Sequence, residues 1–169
     1  MGSYVHLIHI FELEDLSLCG NWKSNARRNN NADIDFCLTN LSGVKHLTNL
    51  TRLEVDYNGS ITSIEPVRHL KNLEDFWFDN NKVVDLSPLM GMTSITSLSV
   101  WNNKITNIEA LTTLPNLHSL TISLYGAGNP IENYEPLKDI FHLKWLYVQE
   151  DKLNQALKDK LVNVRVMDY

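Results

Sequence analysis

Residues 70–111 read LKNLEDFWFDNNKVVDLSPLMGMTSITSLSVWNNKITNIEAL, and one phrase is written twice within them. Leu70, Leu73, Phe76 and Phe78 are followed by Asn81; Met92, Ile95, Leu98 and Val100 are followed by Asn103. Each phrase closes on a second apolar triplet, Val83, Leu86 and Leu89 in the first, Ile105, Ile108 and Leu111 in the second. A fixed period of this length marks stacked supersecondary units, none of which can bury its apolar face alone.

The phrase extends in both directions. Leu47, Leu50, Leu53, Val55 and Asn58 precede it, and Ile10, Leu13, Leu16, Leu18 and Asn21 come earlier still. After it come Leu114, Leu117, Leu120 and Ile122, with Tyr125 where the Asn stood, then Ile140, Leu143, Leu146 and Val148, with Asp151 there. Leu161, Val164 and Val166 make a final half copy. The openings Leu47, Leu70, Met92 and Leu114 lie 23, 22 and 22 residues apart. The closing triplet recurs as Leu38, Leu41 and Val44, as Ile61, Ile64 and Val67, and as Ile131, Tyr134 and Leu137.

The apolar-x-apolar alternation predicts a short strand with two side chains turned inward and the residues between them turned out. Stacked strands of this kind form a parallel sheet. Pro66, Pro88 and Pro136 share one slot in the returning half, where a preset φ suits the first turn of a short helix or 3₁₀ segment. The recurrent Asn carries an amide that both donates and accepts, so Asn21, Asn58, Asn81 and Asn103 are expected to form a ladder satisfying buried turn backbone. The expected fold is an α/β solenoid of about six coils and a seventh strand, a single domain over residues 1–169.

These residues resemble the leucine-rich repeat family in its 22-residue class. The segments NNKVVDLSPL (80–89) and NNKITNIEAL (102–111) are similar to those of bacterial internalins and of the SDS22-like group. The resemblance covers about residues 10 to 166 and implies a sheet that is the concave face of a curved solenoid, with helical or 3₁₀ segments on the convex side.

Composition narrows the function. The chain has 169 residues, 43% of them hydrophobic, and a formal charge of −5, which suits a globular core and leaves no basic footprint for nucleic acid or an anionic membrane. Two cysteines, Cys19 and Cys37, make no disulfide framework and no CxxC motif. The apolar start, Tyr4 to Phe11, is too short and too polar for a signal peptide or a membrane span.

Two irregularities interrupt the period. Residues 22–37 (WKSNARRNNNADIDFC) make the first coil roughly fourteen residues longer than it needs to be. They bring Lys23, Arg27 and Arg28, and read as a tolerated surface insertion or a binding loop, with Trp22 at its base. Residues 124–133 (LYGAGNPIEN) add about four more, read as a turn rather than a phosphate cradle because no GK[ST] follows. Near 152–160, Leu153, Ala156, Leu157 and Leu161 have helical spacing and Asp151 can cap the start, so a return helix is expected to cover the open end of the core.

The outward positions of the strands carry the functional signal. They are Asp15, Ser17 and Cys19; Arg52, Glu54, Asp56 and Tyr57; Asp75, Trp77, Asp79 and Asn80; Ser97, Ser99, Trp101 and Asn102; Ser119, Thr121 and Ser123; Trp145, Tyr147 and Gln149. Three of the four tryptophans therefore fall on positions predicted to be exposed, and exposed indoles ringed by polar groups mark binding hot spots. Asp15, Glu54, Asp56, Asp75 and Asp79 crowd the N-terminal half of that face and would attract a partner bearing Lys or Arg. Trp145 and Tyr147 lie further along as a second patch.

No catalytic motif appears. His9, His46 and His69 share one slot and would align in a column, but no Cys or carboxylate recurs beside them, so neither metal nor cofactor is expected. The expected function is protein–protein recognition without catalysis, by a chain that is most simply a monomer, through Trp77 and Trp101 with Tyr57, Asp56 and Asp79 around them. Its alternatives are an inhibitor or immunity protein masking a basic enzyme or toxin, and a scaffold segment of a larger internalin-like surface protein. The compartment follows from that choice: cytoplasmic for a complete chain, secreted or cell-surface for a fragment.

Overall fold

The structure, a computed structural model, describes residues 12–20, 38–125 and 128–168. Seven three-residue strands form one parallel sheet in sequential order: β1 (Asp15–Ser17), β2 (Arg52–Glu54), β3 (Asp75–Trp77), β4 (Ser97–Ser99), β5 (Ser119–Thr121), β6 (Trp145–Tyr147) and β7 (Arg165–Met167). The register follows the repeat. Leu16, Leu53, Phe76, Leu98, Leu120, Leu146 and Val166 stand side by side, one from each strand.

All side chains of that column from Leu53 to Leu146 are buried, and so are Val55, Phe78, Val100, Ile122 and Val148 two residues on. The closing triplets complete the interior: Ile61, Ile64, Val67, Val83, Leu86, Leu89, Ile105, Ile108 and Leu111 are all buried. Ile131 and Tyr134 in the fifth coil are only partly so. Burial of this continuous column of aliphatic and phenyl groups is the main driving force for stacking. Phe76 and Phe78 pack ring to ring at 4.7 Å, filling the centre of the core.

The returning halves are 3₁₀ turns at Val44–His46, Glu65–His69, Ser87–Leu89, Glu109–Thr113 and Glu135–Asp139. Pro66, Pro88 and Pro136 stand in their first turns, where a missing N–H costs nothing. Backbone bonds also tie coil to coil on this side, as in Lys82 N to Ile61 O (2.8 Å) and Lys104 N to Val83 O (2.9 Å).

The C-terminal cover differs in detail from its prediction. A 3₁₀ turn at Glu150–Lys152 precedes α1 (Gln155–Lys160), and its cap is Asn154, whose side chain accepts the N–H of Leu157 at 2.8 Å, rather than Asp151. Asp151 sits inside the preceding 3₁₀ turn and is not available to cap. Leu153, Leu157 and Leu161 are buried as expected, but Ala156 is exposed because the helix begins too late to turn it inward. Among the described residues, no helix is long and apolar enough to cross a membrane.

Candidate functional site

The asparagine ladder lies along the edge where the strands end. Asn58, Asn81 and Asn103 are buried, and each amide donates to a carbonyl three residues back and to one in the preceding coil. Asn58 Oδ1 accepts from Leu38 N at 2.8 Å, and Asn103 Oδ1 from Val83 N at 3.0 Å. Among the described residues Asn81 Oδ1 has no partner; the coil beneath it is one residue longer, with Gly59 at φ 65°.

The ladder does not stop at Tyr125. Asn129 continues it, donating to Val100 O (2.8 Å) and Ile122 O (3.1 Å) and accepting from the N–H groups of Asn103 and Ile105 (both 3.2 Å). The extra residues of 124–133 therefore carry the ladder amide outward in sequence and back to the same place in space. Asn21, the expected first rung, lies outside the described residues, as do Trp22, Cys37 and most of the insertion at 22–37. Gly20 packs where a Cβ would come within 2.1 Å of Tyr57 O, so the close approach of the first two coils requires glycine.

A second ladder runs beside the first and corrects the expected acidic patch. Asp56 Oδ1 accepts the backbone N–H of Asp79 (2.7 Å), and Asp79 Oδ1 accepts that of Trp101 (2.9 Å). Ser123 Oγ accepts that of Gln149 (2.7 Å), and Ser99 donates to both oxygens of Asp79 at 2.8 Å. Asp79 is only 7% exposed and Glu54 only 8%. Glu54 is held by the guanidinium of Arg52 and by Ser17 Oγ (2.9 Å). Asp15 remains exposed and Asp75 half-exposed. These carboxylates therefore do not form an open acidic surface: Glu54, Asp56 and Asp79 hold the protein's own backbone, hydroxyls or arginine, and Asp15 lies 4.0 Å from Arg52 Nε.

Burial sets the charge of that row. Desolvation, with Glu54 adding repulsion, pushes Asp56 up to about 6 despite the N–H it accepts from Asp79. Desolvation together with Asp56 pushes Asp79 well above the usual carboxylate range.

The aromatic residues fall into three settings. Trp77 is half-buried, lies 4.4 Å beneath the guanidinium of Arg52, and points its indole N–H at Ser97 Oγ (3.4 Å). Trp145, 38% exposed, lies 4.5 Å from the guanidinium of Arg165, beside half-buried Tyr147. Trp101 is half-buried and meets Tyr57 edge to face at 6.1 Å and 81°. Sequence reading placed Arg52 on this face but gave it no role, and it passed over Arg165. The available signals were Arg52 two positions before Glu54, which faces Trp77 across the next strand, and Arg165 directly across from Trp145.

His46 and His69 stand exposed in the last turns of their 3₁₀ segments, and His9 lies outside the described residues. Among the described residues, no three His, Cys, Asp or Glu side chains converge as a metal-binding group would require.

The model for leucine-rich repeats (two copies) matches residues 93–139. Internalin C2 of Listeria monocytogenes superimposes on 78% of this chain with a TM-score of 0.65 and 25% sequence identity. An internalin of the same organism, InlF, superimposes on 96% with a TM-score of 0.63 and 19% identity. The chain spans 57% and 49% of those two structures' own length. The search of curated proteins finds no match. With the repeat and register already described, the fold is a leucine-rich repeat solenoid similar to that of internalins, a parallel sheet backed by 3₁₀ turns.

Proposed function

We propose that the chain is a protein-recognition module and not an enzyme, and that it binds a partner protein through the sheet face bearing Trp77 and Trp101. Tyr57, Asp56 and Asp79 adjoin them, Glu54 and Asp75 lie on the same side, and Trp145 with Tyr147 supplies a second patch. The observation that carries this reading is three incompletely buried indoles along one parallel sheet, Trp77 in β3, Trp101 just past β4 and Trp145 in β6. Preorganised aromatics of this kind bury much area for little entropy lost on binding. The fold itself favours a binding surface over a reaction chamber, since a repeating face excludes water poorly.

The partner's basicity is a narrower proposal. It rests on the net charge of −5 and on exposed Asp15 and half-exposed Asp75, with Asp56 and Asp79 close behind. The test is capture of a partner from the source organism by wild type and by the Trp77→Ala, Trp101→Ala double variant. Unchanged circular dichroism with more than tenfold weaker binding is expected. Equal affinity would dismiss the face. Affinity that falls with added salt supports a basic partner, and a flat response dismisses that part alone.

A further inference from the structure

The asparagine ladder is interrupted at one rung, and the interruption has two sides. Ile61 and Val83 hold equivalent places in successive coils, since Lys82 N donates to Ile61 O at 2.8 Å and Lys104 N donates to Val83 O at 2.9 Å. The N–H of Val83 donates to Asn103 Oδ1 at 3.0 Å, and that of Ile105 to Asn129 Oδ1 at 3.2 Å. By the same pattern the N–H of Ile61 is due to Asn81 Oδ1. That bond is not made. Among the described residues, Asn81 Oδ1 accepts from nothing and the Ile61 N–H reaches no acceptor. Both residues are closed off from solvent, Asn81 at 5% exposure and Ile61 at 0%.

Length sets this coil apart. Val83 and Ile105 follow their own ladder asparagines by two residues, whereas Ile61 follows Asn58 by three. Four turns leave their strands through a left-handed residue, Tyr57 (φ 57°), Asn80 (56°), Asn102 (53°) and Tyr125 (52°), and the turn after Tyr57 adds a second, Gly59 at 65°. Asn81 and Ile61 nevertheless stay neighbours, because Lys82, the residue after Asn81, is bonded to Ile61 itself. Buried N–H groups without a partner are rare in folded chains, and two complementary orphans side by side are a site.

We propose that one internal water molecule joins Asn81 Oδ1 to the Ile61 N–H and completes the ladder at this rung. The two groups select the ligand. One accepts and the other donates, so the occupant must donate and accept at once. A cation is repelled by the N–H and an anion by the amide oxygen, while water serves both, and two polar partners suffice to hold it. Such a bridge lets this coil run one residue longer without breaking the ladder above it.

The test is a pair of water–amide experiments, NOE and ROE, on the nitrogen-15-labelled full chain. The Ile61 amide is expected to give a cross-peak at the water frequency with opposite signs in the two, the mark of contact with held water rather than of proton exchange. Val83 and Ile105, whose N–H groups bond the ladder directly, are expected to give none. Ser60→Ala is expected to leave the Ile61 peak in place, because the neighbouring hydroxyl is not its source. Removal of Gly59, which gives Ile61 the spacing of Val83, is expected to abolish the peak as the direct bond forms. An Ile61 amide without the peak, equal peaks at Val83 and Ile105, a peak lost with the Ser60 hydroxyl, or one that survives removal of Gly59 each overturns the proposal. Should the shortened chain fail to fold, the comparison of the three amides in the wild type decides alone.

Discussion

Asp79 reaches across one coil to accept the backbone N–H of Trp101, Oδ1 to N 2.9 Å, so the carboxylate fixes the residue that carries the half-buried indole. Asp56 does the same for Asp79 at 2.7 Å. The side chains that look like a charged docking patch are therefore also brackets, and their ionisation bears on stability as well as on recognition.

That ionisation has a definite sign. Burial raises Asp56 to about 6 and Asp79 well above the carboxylate range, so the folded chain holds protons that the unfolded chain has already released. Stability conferred by this pair is greatest below the unfolded value and falls as pH rises through the window from about 4 to 6 and beyond. The neighbouring Glu54 is paired with Arg52, while Cys19 and Tyr57, also beside the pair, titrate higher. Asp79→Asn, whose amide oxygen can accept the same N–H, is expected to narrow the melting-temperature difference between about pH 5 and about pH 8. A gap of unchanged size would locate the pH dependence elsewhere.

Asn103 and Asn129 should behave as equals although one lies in the repeat and the other in an insertion. Each satisfies buried backbone groups on two coils, so Asn103→Ala and Asn129→Ala should each cost on the order of 1–3 kcal/mol in urea unfolding. Asn116, whose amide bonds Thr93 O on the exposed side, should cost less than about 1 kcal/mol. A harmless Asn129→Ala would show that the ladder ends at Asn103.

Tyr125→Asn tests the left-handed turn: relief of its penalty is expected to raise stability by about 1 kcal/mol. Chemical denaturation of this variant against wild type reads the gain, and a lower midpoint would mean that the ring contributes more than its backbone costs.

Two phenylalanines separate core from surface. Phe76 is fully buried at the centre of the column, and Phe76→Ala should lose about 3–5 kcal/mol. Phe141 is 87% exposed, and Phe141→Ala should stay within roughly 0.5 kcal/mol. Thermal melts of the two variants side by side suffice, and similar losses would contradict the assigned register.

The sheet, its order and its core were legible because each apolar position is dictated by one period that repeats without ambiguity. The ladder was legible only while that period held. Asn129 escaped notice because added residues displaced it in sequence without displacing it in space. The sheet face was legible as an orientation but not as an environment. Alternation says that Glu54 and Asp79 point outward, yet it cannot say that Arg52 covers one and that the next coil's N–H groups enclose the other. The left-handed tyrosines were hidden because tyrosine carries no propensity for that conformation. Asn154 displaced Asp151 as the helix cap because a 3₁₀ turn intervened.

The sequential strand order has a consequence for how such a molecule changes. Among the described residues every strand pairs only with its neighbours in sequence, so no distant strand polices the length of the array. Excision or duplication of one whole unit, such as residues 70–91, rejoins like with like, whereas a change of any other size breaks the stagger. Growth in such a lineage is quantised, and each added copy of residues 70–91 would place one more coil between Tyr57 and Trp101.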